Sequence, residues 1–150
     1  MAETLGSLVD KLSIKNLRLW HMDEAKDIEG YEEKRKLVLD QRDRLIREID
    51  AFTAEAVKGN VVLREEKVKL YNKPEEKGLF HHLGKVGEAV DQLAYQNILL
   101  WHLEDRIREE GLPDAGIAQL KREIDKANQK RNDLIDKIDE LFEREIKFIV

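Results

Sequence analysis

Residues 5–25, LGSLVDKLSIKNLRLWHMDEA, and residues 86–106, VGEAVDQLAYQNILLWHLEDR, are two spellings of one amphipathic segment set 81 positions apart. Gly6, Val9, Asp10, Leu12, Asn16, Leu19, Trp20 and His21 coincide with Gly87, Val90, Asp91, Leu93, Asn97, Leu100, Trp101 and His102, eight identities in 21 positions. The differences hold chemistry too: Asp23/Glu104 and Glu24/Asp105 stay acidic, Leu17/Ile98 and Met22/Leu103 stay apolar. Self-similarity at a fixed offset marks a chain assembled from a repeated supersecondary unit. A second match, at an offset of 89, places Arg42, Leu45, Ile46, Ile49 and Asp50 on Arg131, Leu134, Ile135, Ile138 and Asp139. The offsets differ by eight (89 − 81), which at about 3.6 residues per turn adds roughly one turn to each arm of a hairpin and puts the length change at its tip.

Apolar spacing makes each arm a helix. Leu5, Val9, Leu12, Asn16, Leu19 and Asp23 recur at alternating intervals of three and four, as do Val86, Val90, Leu93, Asn97, Leu100 and Glu104. The last helix carries the same stripe from Ile117 to Leu141. Punctuation agrees: Gly30 marks the first turn, Gly59-Asn60 ends the second arm, and Gly111-Leu112-Pro113-Asp114 supplies a stop, a breaker and an N-cap acid. Residues 61–71 read either as a short helix or, with Val68 and Leu70 alternating with lysines, as a strand. Two-arm hairpins enclose too little core to stand alone. The expected fold is therefore all-α and four-helix bundle-like, with two pseudo-symmetric antiparallel helical hairpins joined by a long linker. One domain spans 1–150, with a first repeat at about 5–58, a linker at about 59–82 and a second repeat at about 83–148. An extended pair of hairpins that completes its core by homo-oligomerisation is the competing architecture, because that linker exceeds what a simple bundle connection needs.

Composition bounds the function. Hydrophobic residues make up 41% and charged residues 39% of the 150, a balance suited to amphipathic helices with mixed-charge outer faces. A net charge of -5 repels phosphate backbones. The basic run Lys34, Arg35, Lys36, Arg42, Arg44 and Arg47 is threaded with Glu32, Glu33, Asp40, Asp43, Glu48 and Asp50, so no nucleic-acid partner is expected. The absence of cysteine removes disulfides, thiolate nucleophiles and sulfur-ligated metals, and makes a cytoplasmic setting the expectation. The first residues lack the basic, apolar and small-residue order of a signal peptide, and no apolar run approaches the roughly 20 residues a membrane span requires.

Chemistry is sought where the apolar stripe is broken. Asn16/Asn97, Asp23/Glu104 and Arg42/Arg131 occupy stripe positions in both copies, and a buried arginine requires an acid beside it. A hairpin turning near 112–113 brings Asn97 level with Asn128, puts Arg131 within a turn of both, and sets His102 near Glu123 to Asp125. Asn97, Trp101, His102, Glu104, Asp105, Asp125, Asn128 and Arg131 thus form the candidate ligand-binding cluster, with Glu104, Asp105 and Asp125 as candidate partners of the arginine. The leading reading is a buried polar layer fixing helix register in a structural or protein-interaction protein. Its alternative is a binding protein or enzyme for a small anionic or hydroxyl-rich molecule held by Arg, Asn and His donors. His21-x-x-Glu24 and His102-x-x-Asp105 place ligand atoms one turn apart, but a nearby arginine repels a cation, so neither metal nor cofactor is expected. Ser7 and Ser13 sit in no Gly-x-Ser-x-Gly turn and no glycine-rich phosphate loop is present, which leans against an enzyme.

The second copy also carries Asn-x-x-Leu-Trp-His-x-Glu-Asp at 97–105 and Lys-Arg-x-Ile-Asp-x-x-Asn-Gln-x-Arg-Asn-Asp at 121–133. This pair of motifs resembles a bacterial family of unknown function over about 86–143. The resemblance implies a helical protein and names no activity. The first copy departs from the second motif, with Lys36, Leu39, Asp40, Asp43 and Arg44 where the second has Asp125, Asn128, Gln129, Asn132 and Asp133. A single functional site would therefore be expected in the second copy.

Overall fold

Thr4 and Ser7 start the first helix by capping each other: the Ser7 amide donates to Thr4 Oγ1 at 3.2 Å and the Thr4 amide to Ser7 Oγ at 2.8 Å. Two of the amides left over at a helix N-terminus are satisfied this way. A computed structural model describes residues 3–64 and 80–149, and four helices account for most of them: α1 (Leu5–Glu24), α2 (Tyr31–Val57), α3 (Val86–Ile107) and α4 (Asp114–Ile149). No strand occurs among the described residues. The fold is all-α and bundle-like, with α1/α2 and α3/α4 as antiparallel hairpins. None of the helices is long and apolar enough to cross a membrane.

The expected punctuation is where the chain turns. Gly30, Gly59 and Gly111 adopt φ values of 71°, 77° and 81°, a left-handed conformation that glycine enters without a Cβ penalty. Asp114 is the first residue of α4 instead of its cap, so its carboxylate still faces the positive helix end. Residues 61–64 are irregular, and the helix-or-strand question for 65–71 lies outside the described residues. The extra eight residues of the second hairpin are shared unequally. Helix α3 runs two residues past Asp105, the counterpart of Glu24, and α4 starts six residues before Leu120, the counterpart of Tyr31 (2 + 6 = 8). The connections themselves, 25–30 and 108–113, are equally long.

The hairpins meet one-sidedly. Helix α1 packs along α2 and also beds onto α4 and α3, whereas α2 makes its main contact with α1. The larger core gathers where Leu5 and Val9 meet Ala89 and Leu93 of α3 and Leu134, Ile138 and Leu141 of α4, with Ile49 and Phe52 arriving from the end of α2. Phe52 and Phe142 bring their ring centroids to 6.2 Å there. A second cluster, Leu100, Leu103, Leu120 and Ala127, fills the far end of the second hairpin alone. The far end of the first hairpin is closed by polar groups. Asp23, a stripe position expected in the core, is exposed and accepts hydrogen bonds from Tyr31 Oη at 2.7 Å and Arg35 Nε at 2.8 Å.

At Gly6 the backbones of α1 and α4 approach closely. A Cβ added there would run into the carbonyl oxygen of Ile135 and stand 2.9 Å from Asp139 Oδ1. The same Asp139 oxygen accepts the Gly6 amide at 2.7 Å, so a buried carboxylate from α4 caps the positive end of α1.

Two outcomes follow. Gly6→Ala should push the helices apart and cost about 1–3 kcal/mol, the usual penalty for overpacking, seen as a melting midpoint lower by several degrees at fixed protein concentration. At the tip, the Arg35 hydrogen bond, helped by Tyr31, lowers the Asp23 carboxyl from 3.8 to about 2. A depressed carboxyl stabilises the fold above its unfolded pKa and loses that contribution as pH falls through the folded value, so the clasp should hold at pH 4 and open toward pH 2. A carboxyl-carbon NMR titration should find the Asp23 midpoint near 2 in the wild type and nearer 3.8 in Arg35→Leu.

Candidate functional site

Asn97 and Arg131 do come together, and the group that joins them is Asp10. Helix α1 runs parallel to α3 and antiparallel to α4, which carries Asp10, one turn after Gly6, into the seam between them. Its carboxylate is 4% exposed, so its oxygens must be hydrogen-bonded by protein. Arg131 Nε donates to Oδ1 at 2.9 Å and Nη2 to Oδ2 at 2.6 Å, a bidentate fork, and Asn97 Nδ2 donates to Oδ1 at 3.0 Å. Hydrogen bonding to Asp10 raises the Arg131 guanidinium above its ordinary value against the cost of burial, and Glu104 adds a weaker field in the same direction.

The acid expected beside Arg131 was Glu104, Asp105 or Asp125, and the structure corrects this. All three are exposed, and Asp105 instead lies 3.7 Å from Arg108. Register arguments within one hairpin could supply only partners from α3 or α4, whereas Asp10 comes from the other hairpin, 121 positions away. Two other polar stripe positions of the first copy also leave the core: Asn16 is exposed and Arg42, half-buried, pairs with neighbouring Asp43 at 3.0 Å.

The remaining candidates separate. Trp101 is half-buried and stacks on His21 of α1, with ring centroids 4.5 Å apart and planes 3° from parallel. His21 Nδ1 is 3.8 Å from Glu24. His102 is exposed, and Asn128 is half-buried on α4 one turn before Arg131. Gln96, overlooked because it sits beside the stripe, is buried and donates to the Ala127 carbonyl at 3.4 Å. Among the described residues no buried side-chain nitrogen or oxygen lacks a hydrogen-bond partner. Nor do three or more His, Asp or Glu side chains there converge as a cation would require. Two surface depressions, one beside Asp23, Tyr31 and Arg35 and one beside Lys15, Gln41 and Arg44, lie on the first hairpin and include none of the eight candidates.

Asp10 and Asp139 were the residues the sequence reading passed over. A signal was present: Gly6, Asp10, Leu17 and His21 form a second helical stripe beside the apolar one, and three of the four recur identically 81 positions on.

With the geometry in place, comparison with known proteins adds one finding. Residues 87–150, which hold α3 and α4, match the model of a family described as a protein of unknown function (DUF4254). No curated protein and no solved structure matches the chain.

Removing the carboxylate should expose how much the node matters. Asp10→Ala strands the Arg131 guanidinium in the seam. Because that side chain keeps 29% exposure, the expected cost is about 2–3 kcal/mol, below the roughly 3–5 of a fully buried pair. Alanine at Glu104, Asp105 or Asp125 should melt within about 0.5 kcal/mol of wild type, and urea denaturation of the four variants checks both statements.

Proposed function

We propose that this chain is a helical interaction protein formed by doubling one hairpin. The Asp10–Arg131–Asn97 node sets the register between its halves, and its outer helix faces make the contacts with partners. The observation that carries this reading is the closed valence of the node: two guanidinium nitrogens and the Asn97 amide are spent on one carboxylate. An arginine that holds an anionic ligand keeps that fork turned toward an open cleft. Large apolar side chains lie outside instead, with Trp20 67% and Tyr95 65% exposed, and aromatic groups on a surface favour protein contact. A bacterial cytoplasm suits a cysteine-free chain whose second hairpin carries the quoted motifs.

The register role and the ligand role separate in one experiment. Inorganic phosphate, citrate and glycerol should leave the melting midpoint of the wild type unchanged. Arg131→Leu should still fold but lose about 3 kcal/mol, because it strands the more deeply buried Asp10 carboxylate, whereas Arg131→Leu combined with Asp10→Leu should melt within about 1 kcal/mol of wild type or above it, as replacement of whole ion pairs by apolar groups often does. A midpoint that rises by several degrees with one of these molecules, and no longer does so in Arg131→Leu, would overturn the reading in favour of a small-molecule site.

A further inference from the structure

Beside the shared apolar core, three contacts between the two hairpins use a special set of residues. Gly6 meets Ile135 and Asp139, Asp10 meets Arg131 and Asn97, and His21 meets Trp101. Every one of these eight residues is identical at its matched position 81 or 89 away. The chain therefore contains a second set of residues able to make these three contacts, though not the Phe52–Phe142 ring pair: Gly87 with Ile46 and Asp50, Asp91 with Arg42 and Asn16, and His102 with Trp20.

None of this second set is buried. Gly87, Asp91 and His102 are exposed on α3, and a Cβ on Gly87 would meet open space, whereas one on Gly6 would strike α4. Asn16, Trp20, Ile46 and Asp50 are exposed on the first hairpin, and half-buried Arg42 turns back to Asp43. At about 100° per residue, Gly87, Asp91, Ile98 and His102 fall within roughly 60° of one another, so they form one face of α3, with exposed Tyr95 at its border. Each hairpin thus has an inserting face and a receiving side. In the chain, the first hairpin inserts and the second receives. The inserting face of the second and the receiving side of the first are left over, and they complement each other in charge (Asp91 against Arg42) and in kind.

We propose that a second copy of this chain fills both. Helix α3 of each copy beds onto the α1/α2 side of the other, repeating across a two-fold axis the contact that α1 makes with α3 and α4 inside one chain. A head-to-tail contact between hairpins leaves free ends that must be closed or extended, and reciprocal docking of two chains closes four hairpins into a ring. This inference names the partner for the interaction reading above and rests on it.

The test uses charge reversal at two surface positions outside the Asp10–Arg131 node. By light scattering the wild type should have about twice the 17.6 kDa chain mass at micromolar concentration. Asp91→Arg and Arg42→Asp should each be helical monomers by circular dichroism, with dissociation constants raised about 100-fold or more, because two like-charge contacts face each other in either homodimer. Mixing the two variants should restore the dimer, since that pairing has one native and one reversed contact, both attractive. The double variant should also dimerise. A monomeric wild type would overturn the proposal while leaving the register role of the node, read from its own melts, untouched. Restoration in the double variant but not on mixing would overturn it too, by showing that α2 and α3 close within one chain. A wild-type dimer insensitive to both reversals would place the interface elsewhere and likewise overturn it.

Discussion

A single carboxylate holds the two hairpins in register. Asp10 leaves water almost completely on folding, and its charge is tolerable there only because Arg131 and Asn97 donate three hydrogen bonds to it. Those donors come from α4 and α3, so one group of α1 ties together both helices of the other hairpin. One turn earlier the Gly6 backbone presses on α4 and gives its amide to Asp139. Apolar stripes alone would tolerate a slide of α1 by a turn, because Leu and Val replace one another at little cost. Such a slide would strand Asp10, Arg131 and Asp139 together, and that penalty gives the packing one register.

The rest of the architecture follows from what this seam leaves free. Apolar contacts converge where all four helices contribute, around Leu93, Leu134 and Ile138, and continue into the second hairpin through Leu100 and Leu120. Toward its own tip the first hairpin buries fewer apolar residues, Leu19 and Val38 among them. Its end is clasped by exposed Asp23 with half-buried Tyr31 and Arg35, an interaction that weakens with salt and acid. Local opening is expected to be easier there than at the second tip, since few buried apolar contacts oppose it. The eight extra residues of the second hairpin contribute to the difference by lengthening α3 and α4 past the seam and adding Ile107, while Ile124 packs where the first hairpin has Arg35.

The residues matched within the chain fall into two groups. Leu12, Leu19, Leu45 and Ile49 recur because each hairpin needs the same interior. Gly6, Asp10, Arg131, Ile135 and Asp139 recur for another reason, since they lie between hairpins. The chain carries both versions and buries one, and the proposed contact with a second copy turns on that asymmetry.

By itself the sequence determined four helices, their turns at Gly30, Gly59 and Gly111, and the stripe that buries Leu93, Leu134 and Ile138. These depend on spacing within about a dozen residues and on backbone conformations that only certain side chains permit. It also determined that Arg131 lies within a turn of Asn97, because a hairpin with a known turn has a known register. Which acid answers Arg131 was decided by tertiary structure alone. Glu104, Asp105 and Asp125 were all within plausible reach on their own hairpin, and nothing in local spacing distinguishes them from an acid 121 positions away. Likewise Asn16 and Asn97 hold the same place in matching stripes and have opposite fates, one exposed and one buried, because only one of the two hairpins received the other. Burial is a property of the assembled surface, and a local pattern repeated twice carries no record of which copy is covered.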